Sequence, residues 1–283
     1  MPIPFTIEIN PERFIRGDFF PAHKESRGTV IVCHGFKGFK DWGFFPYVAQ
    51  QLSDQFNVIT FNFSHNGIGE DLTQFTELEK FAKNTYSREL EDLDILIRHI
   101  KTKSLPVQDQ AQNLGEPLFL LGHSRGGGVS LIYAFDHPDV IRGVISWNGI
   151  TNVDLFSEEQ KEEMRSKGRS YVANARTGQQ LPLDKEILDD IEANKNRYNI
   201  IERARTATVP IVLIQGTEDH QRLLLGSEKL TVANPNIGWI KIEGGNHTFN
   251  AVHPFAGPTK QLTEAIHQTE KALLSMLKGE TAT

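Results

Sequence analysis

The chain has 283 residues, 39% of them hydrophobic and 23% charged, a balance typical of a soluble protein with one large α/β domain or two small domains. Its formal net charge of −6 comes from scattered charges without a basic block, which argues against nucleic-acid binding. The single cysteine, Cys33, excludes an intrachain disulfide.

Short apolar runs alternate with amphipathic runs, and this alternation predicts a mostly parallel sheet with helices on both faces. Eight runs are expected to be strands, the first two as an antiparallel pair: residues 5–9, 15–20, 29–33, 57–63, 118–121, 144–147, 211–214 and 239–242. Helices are expected after Gly126 and at residues 45–52, 88–100 and 259–278. The predicted fold class is therefore α/β with an eight-stranded sheet.

Residues 152–207 interrupt this alternation because they contain no strong buried strand. Residues 157–167 read as a highly charged helix, followed by a hairpin that turns near Gly178 and by another short helix. We predict a lid inserted after the sixth strand, since long excursions near a site are often functional. A surface excursion without a role is the alternative. The core domain then comprises residues 1–151 and 208–283.

The motif Gly122-His-Ser124-Arg-Gly126 lies between the apolar run 117–121 and a helical run. A strand–Gly-x-Ser-x-Gly–helix unit forces the serine into strained dihedral angles and presents its hydroxyl above the sheet. Side chains at the two glycines would collide with the neighbouring strand and helix. The unit therefore predicts that Ser124 is a catalytic nucleophile.

A serine hydroxyl is a weak nucleophile and needs a general base within hydrogen-bonding distance. His247 follows the last predicted strand in a glycine-rich loop, which can turn its imidazole back over the edge of the sheet where Ser124 lies. We predict that His247 is this base. His253, which lies further from the strand end and precedes a proline, is the rival.

The base needs an acid that fixes its tautomer and stabilises the imidazolium. Asp219 directly follows the predicted strand 211–214, and the chain order serine, aspartate, histidine is the order expected for this scaffold. Glu218 and Asp154 are alternatives for this role. A turn residue that caps the next helix is the structural alternative for Asp219.

Acyl transfer also places negative charge on a carbonyl oxygen, which two backbone N–H groups must meet. The first is expected from Arg125, the residue after the nucleophile. The second is expected from Phe36 in the glycine-containing loop 34–38, which follows the third strand. A plain strand-to-helix turn is the alternative for this loop, and it is compatible with the catalytic role.

Aromatic residues are candidates for an apolar pocket that takes an acyl or aryl group, with ordinary packing as the alternative: Phe36, Phe39, Tyr171 and Tyr198. No group of His, Cys and Asp has metal-ligand spacing, so neither a metal nor a cofactor is expected. The N-terminus lacks the features of a signal peptide, and no apolar run approaches the ~20 residues of a membrane span. A cytoplasmic location is expected by default.

With these motifs in place, the chain resembles the α/β-hydrolase superfamily. The resemblance rests on four motifs in the expected order: His34-Gly35, Gly122-x-Ser124-x-Gly126, Gly216-x-x-Asp219 and Gly245-x-His247. Within the superfamily the chain most resembles bacterial cinnamoyl/feruloyl esterases and serine-aminopeptidase-like hydrolases, on residues 34–38, 176–179, 247–249 and 252–254. The sequence differs from that of many relatives at two places: at His220, where a Val-Pro step commonly follows the acid, and in the loop 64–69. Both differences bear on the shape of the substrate.

The resemblance implies a serine-dependent carboxylesterase that cleaves small acyl or aryl esters through an acyl-enzyme. A peptidase or acyl-peptide hydrolase with the same three residues is one alternative. A non-catalytic binding module on the same scaffold is another, because a fold does not by itself give a function. The expected partner is a small-molecule ester, with no nucleic acid and no membrane, and a homodimer is left open.

Overall fold

The structure, a computed structural model, describes residues 1–107 and 113–279, so residues 108–112 and 280–283 of the predicted core domain lie outside it. Its strands are β1 (Ile3–Asn10), β2 (Arg13–Phe20), β3 (Thr29–Cys33), β4 (Asn57–Asn62), β5 (Leu118–His123), β6 (Ile141–Trp147), β7 (Arg169–Ala173), β8 (Gln180–Asp184), β9 (Ile211–Gly216) and β10 (Gly238–Ile242). Its helices are α1 (Phe45–Leu52), α2 (Leu78–Ala82), α3 (Tyr86–Lys101), α4 (Arg125–Asp136), α5 (Glu158–Lys167), α6 (Glu186–Ala193), α7 (Ile200–Ala204), α8 (Gln221–Ala233) and α9 (Lys260–Lys278).

One large sheet organises the molecule, with the strand order β1-β2-β4-β3-β5-β6-β9-β10. The pairs β1–β2 and β2–β4 are antiparallel, and the other neighbours are parallel. The predicted mostly parallel sheet of eight strands is therefore confirmed. Each predicted strand overlaps an observed one, and β1 and β10 are the edge strands of this sheet.

Helices cover both faces of this sheet. On one face, Val48 of α1 lies in the same buried cluster as Val32 of β3, and α9 contributes to that cluster as well. On the other face, Leu93 of α3 joins Ile31 of β3, together with side chains of α4. Because β3 is buried on both faces, all its residues are shielded from water, which explains its continuous apolar sequence.

The chain between β6 and β9 contains α5, the β7–β8 hairpin, α6 and α7. Ile200 and Ala204 of α7 belong to the buried cluster that also contains side chains of α3 and α4. Ser157 and Gln160 form a capping box at the start of α5. Leu181 and Leu183 on the buried face of the hairpin pack into an apolar cluster with side chains from the loop after β3 and from the segment before α3. Arg169 adds ion pairs to Glu79 and Asp184. The β7–β8 hairpin therefore lies against the loop after β3 and the segment before α3.

Parallel strands bring their carboxyl ends to the same edge of the sheet. The loops after β3, β5, β9 and β10 therefore leave the sheet side by side. These loops carry the glycine-containing segment 34–38, Ser124, Asp219 and His247. The candidate site lies at this edge.

Candidate active site

Ser124 occupies the sharp turn between β5 and α4. Its φ of 56° and ψ of −119° lie where a residue with a side chain is strained. Two backbone hydrogen bonds hold this turn: Ser124 N–H donates to the Trp147 carbonyl at 2.9 Å, and the Ser124 carbonyl accepts from Ile150 N–H at 3.0 Å. The strained residue is thus fixed by the neighbouring strand β6 and the loop that follows it.

The glycines beside Ser124 allow close approach of the backbone. A Cβ atom at Gly126 would lie 2.1 Å from the Cys33 carbonyl oxygen, and one at Gly122 would lie 2.2 Å from the Gly126 carbonyl oxygen. Both distances are far below van der Waals contact, and the opposing atoms are backbone atoms that cannot rotate away. The predicted collisions are therefore confirmed at both positions.

We expect Gly126→Ala to destabilise the protein by about 3 kcal/mol or more, or to prevent folding, because the added methyl group forces α4 away from β3. Thermal unfolding followed by circular dichroism measures the effect. Gly115→Ala is the matched control, since a Cβ atom there meets no atom within 4 Å. Equal melting temperatures for the two variants would contradict this account of the turn.

The structure brings together Ser124, Asp219 and His247, the three side chains that the sequence predicts as catalytic. His247 Nε2 lies 3.0 Å from Ser124 Oγ, and His247 Nδ1 lies 2.7 Å from Asp219 Oδ1. A carboxylate can only accept, so Nδ1 carries the proton and Nε2 is left to accept from the serine hydroxyl. The Asp219 side chain is fully buried, whereas 27% of the His247 side chain is exposed. The geometry suits transfer of the Ser124 proton to His247.

Asp219 is held in its ionised form. Burial alone would raise the pKa of Asp219, but hydrogen bonds from His247, from Gln215 and from the backbone N–H of His220 together lower this pKa below its usual value. Gln215 Nε2 donates to Asp219 Oδ2 at 3.0 Å, and His220 N–H donates to Oδ1 at 2.8 Å. An ionised carboxylate at this place accepts the hydrogen bond from Nδ1 and so orients the His247 ring.

Two buried side chains hold the backbone of His247. Asn148 Nδ2 donates to the His247 carbonyl oxygen at 2.9 Å, while Asn148 Oδ1 accepts from Gly216 N–H at 2.9 Å. His123 Nε2 lies 2.8 Å from the same His247 carbonyl oxygen, and burial lowers the pKa of His123 to about 3. A neutral His123 therefore donates this bond. Neither Gln215 nor Asn148 is predictable as a site residue from the sequence: the only signal is a polar residue within or just after an apolar strand.

The loop after β3 passes directly beside Ser124. A Cβ atom at Gly35 would lie 3.0 Å from Ser124 Cβ. His34 shapes this loop: its Nδ1 donates to the Gly35 carbonyl at 3.0 Å, and its Nε2 accepts from Phe63 N–H at 3.3 Å. Within the described residues, no hydrogen bond occupies the backbone N–H groups of Phe36 and Arg125. Their role as oxyanion donors stays a prediction.

The Arg125 side chain points away from solvent into the protein. Its guanidinium forms a buried ion pair with Glu89, with Nε and Oε2 2.9 Å apart and both side chains at most 3% exposed. Its Nη2 donates to the Asn84 carbonyl at 3.0 Å, and its Cζ lies 3.9 Å from the centre of the Tyr86 ring. Arg125 thus ties the start of α4 to α3 and the residues before it.

The aromatic residues named in the sequence analysis lie in different places. Phe36 is half-buried, and its ring centre lies 5.6 Å from that of Phe81 and 6.3 Å from that of Phe156. Phe39 is fully buried and packs edge-on against Phe75 and His253 in the cluster beneath the insertion. Phe36 therefore contributes to an aromatic wall on the loop that passes Ser124.

The two tyrosines lie on the insertion, away from this wall. Tyr171 is on β7 and is 52% exposed. Tyr198 is buried, and its hydroxyl contacts Ser87 and Asp190. Tyr198 also lines a cavity of about 550 Å³ between the insertion and α8, and none of the described residues that line this cavity is Ser124, Asp219 or His247. Substrate contact stays a prediction for Phe39, Tyr171 and Tyr198.

His253 and Asp154, the alternatives for the base and the acid, have other partners. His253 Nδ1 accepts from Gly43 N–H at 2.8 Å, and the His253 ring stacks on Trp42. Asp154 pairs with Lys161, with 2.8 Å between Oδ2 and Nζ, and caps the backbone before α5. Both residues are thus engaged in holding neighbouring backbone.

His220 is a further polar residue beside the three side chains. It follows Asp219 directly, is exposed, and places its ring centre 5.2 Å from that of His247. The ligand atoms of Asp219, His220 and His247 lie within 4.8 Å of one another. The sequence has no metal-ligand spacing here, because the fold alone brings His247 to the adjacent residues Asp219 and His220. The signal available was the unusual histidine after Asp219.

The chain is similar to known hydrolases in sequence and in structure. A family model described as "Serine aminopeptidase, S33" matches residues 24–171. The monoglyceride lipase of Rattus norvegicus is 23% identical over 235 residues, which cover 74% of this chain and 71% of that protein. The monoglyceride lipase homolog of Monkeypox virus is 25% identical over 128 residues, so the match covers 45% of this chain and only 40% of the viral protein.

Two solved structures share the fold over nearly the whole chain. Est1E from Butyrivibrio proteoclasticus has a TM-score of 0.67 at 13% identity, with 98% of this chain and 99% of that chain covered. A soluble variant of monoglyceride lipase from Saccharomyces cerevisiae has a TM-score of 0.70 at 17% identity, with 98% and 95% covered. At such identities the likeness establishes the fold alone. Among the described helices, none combines the length and apolar character needed to cross a bilayer.

Proposed function

Because the chain belongs to the serine aminopeptidase S33 family and has the α/β-hydrolase fold, we propose that it is a serine-dependent carboxylesterase that cleaves small acyl or aryl esters. One observation carries this proposal: the continuous hydrogen-bond path from Ser124 Oγ through the His247 ring to Asp219. The monoglyceride lipases among its relatives favour an ester over an amide as substrate.

In the proposed reaction, Ser124 Oγ attacks the ester carbonyl carbon while His247 Nε2 takes the hydroxyl proton. The tetrahedral intermediate collapses, the bond to the alcohol breaks, and His247 returns the proton to the leaving oxygen. A water molecule then attacks the acyl-enzyme with His247 as base again, which releases the acid and restores Ser124. Asp219 orients the ring and stabilises its positive charge throughout.

The backbone N–H groups of Phe36 and Arg125 are the proposed donors to the oxyanion. Two observations support this role. Arg125 directly follows Ser124, and Gly35, the residue before Phe36, comes close to Ser124 Cβ. Among the described residues neither amide has a hydrogen-bond partner. Arg125 is also the first residue of α4, whose N-terminal end favours negative charge. The loss of one such donor typically reduces turnover by about 10²–10³-fold.

We further propose that residues 152–207 act as a lid. Two contacts support this role. Lys37, beside Phe36 in the loop after β3, donates from Nζ to the Ala173 carbonyl of the hairpin at 3.1 Å. Phe156 at the start of the insertion packs edge-on against Phe36. The aromatic wall of Phe36, Phe81 and Phe156 then offers an apolar surface for the acyl or aryl part of the substrate.

A peptidase is the second candidate because the family description names an aminopeptidase. Substrates with one chromogenic leaving group distinguish the two activities: p-nitrophenyl esters of short and long acids against aminoacyl p-nitroanilides, with a hydroxycinnamoyl ester for aryl acids. We expect kcat/KM for the best ester to exceed that for the best anilide by about 10²-fold or more. Comparable rates on the anilide would favour the peptidase, and no turnover of any substrate would favour a binding module.

A further inference from the structure

The neighbourhood of His247 contains more ligand atoms than ester hydrolysis uses. His220 takes no part in the proposed reaction, yet its ring lies 5.2 Å from the His247 ring, measured between centres. Together with Asp219, the two histidines offer two imidazole nitrogens and one carboxylate oxygen within 4.8 Å of one another. Two imidazoles and a carboxylate are a ligand set that Zn²⁺ takes in proteins.

We propose that Asp219, His220 and His247 form an inhibitory site for Zn²⁺. The inhibition rests on the function proposed above, whereas the binding of the ion does not. Water completes a tetrahedral coordination in which the protein supplies three ligands. The site is thus a switch on the same side chains that are proposed to activate Ser124.

The geometry requires only a small movement. Zinc bonds to nitrogen and oxygen of about 2.0–2.2 Å place tetrahedral ligand atoms about 3.4 Å apart, so the observed separations of up to 4.8 Å must shorten. His220 is the residue that can move, because its side chain is exposed. Its backbone stays in place, since its N–H donates to Asp219 Oδ1 and α8 begins at the next residue.

Inhibition follows from the bonds that His247 already makes. Its Nδ1 contacts Asp219 and its Nε2 contacts Ser124, so an ion bound to either nitrogen displaces one of these bonds. An ion at Nε2 occupies the lone pair that must accept the Ser124 proton. An ion at Nδ1 separates the ring from the carboxylate that orients it. In both cases the zinc-bound form lacks a working base.

Zn²⁺ added alone, in a buffer that does not chelate metals, tests the site. We expect wild-type ester hydrolysis to fall with rising Zn²⁺ and to recover when a chelator is added. The variant His220→Asn keeps the backbone N–H to Asp219, and its response to Zn²⁺ is measured relative to its own activity without metal. The Zn²⁺ concentration that halves its activity is expected to rise about tenfold or more.

His267→Asn is the matched control, because His267 is an exposed histidine on α9. Its zinc sensitivity is expected to equal that of wild type. Equal sensitivity of wild type and His220→Asn, or an equal loss in His267→Asn, would overturn the proposal.

A binding measurement separates this proposal from the proposed function. Competition with a chromogenic zinc indicator reports the affinity for Zn²⁺ whether or not the protein hydrolyses esters. Ser124→Ala is expected to bind Zn²⁺ with an affinity at least equal to that of wild type, and His220→Asn more weakly by about tenfold or more. Identical binding by wild type and His220→Asn would refute the site even if esterase activity is present.

Discussion

Replacing Ser124 by alanine is expected to abolish ester hydrolysis, with kcat/KM lowered by on the order of 10⁴-fold or more. The hydroxyl 3.0 Å from His247 Nε2 is the proposed nucleophile, and alanine leaves nothing to attack the carbonyl carbon. Initial rates on p-nitrophenyl esters measure the loss. A fluorophosphonate is expected to modify Ser124 in the wild type, as detected by mass spectrometry. The modification is expected to be absent from the variant.

Ser166→Ala is the control for this experiment, since Ser166 is an exposed serine on α5. Its turnover and labelling are expected to equal those of wild type. A melting temperature of Ser124→Ala close to that of wild type shows that the fold survives the change. Labelling that persists in Ser124→Ala, or a wild-type protein that is never labelled, would rule out the proposed mechanism.

His247→Ala is expected to cost about as much activity as Ser124→Ala, because nucleophile and base act as one unit. The serine hydroxyl then has no acceptor for its proton, so the acylation step slows. The measurement is kcat/KM on the same esters, together with the rate of fluorophosphonate labelling. Slower labelling at unchanged stability identifies a loss of chemistry rather than a loss of fold.

His253→Ala provides the comparison for the base. His253 accepts from Gly43 N–H and stacks on Trp42, so its loss is expected to lower the free energy of unfolding by about 1 kcal/mol while most activity is retained. If His253→Ala were inactive and His247→Ala active, the assignment of the base would be wrong.

The fold was predictable because the core strands of a parallel sheet are buried on both faces. Strands such as β3 and β5 therefore appear as continuous apolar runs, which are visible without any structure. The short helices α2 and α7 were not predicted, since five residues are too few to show a period. No bounds were predicted for α8, whose buried face includes Gly226 and Ser227 and so lacks a continuous apolar stripe.

The candidate site was predictable where it depends on strand ends. Ser124, Asp219 and His247 each follow a strand of the parallel part of the sheet, and the sheet brings such positions to one edge. Side-chain direction on an insertion is not encoded in a local pattern. For example, Tyr171 lies on a two-stranded hairpin, where alternate side chains point to solvent and to the protein, and it is on the exposed side.

The aromatic wall and the supporting residues show a second limit. Phe81 and Phe156 reach Phe36 from segments far away in the chain, and only the packing of the insertion brings them there. Asn148 and Gln215 end apolar strands, where a buried amide cannot be told from an exposed one until the neighbouring loop is in place. The convergence of Ser124, Asp219 and His247 was therefore easier to predict than the residues that surround them.

The buried ion pair between Arg125 and Glu89 has a consequence for protein engineering. Arg125 stands at an x position of the Gly-x-Ser-x-Gly motif, so a mutagenesis library built on this motif would randomise position 125 alone. In this protein a neutral residue at position 125 leaves the buried Glu89 carboxylate without its partner. Breaking such a buried ion pair lowers the free energy of unfolding by about 3–5 kcal/mol. In directed evolution of this motif, positions 125 and 89 therefore have to be varied together.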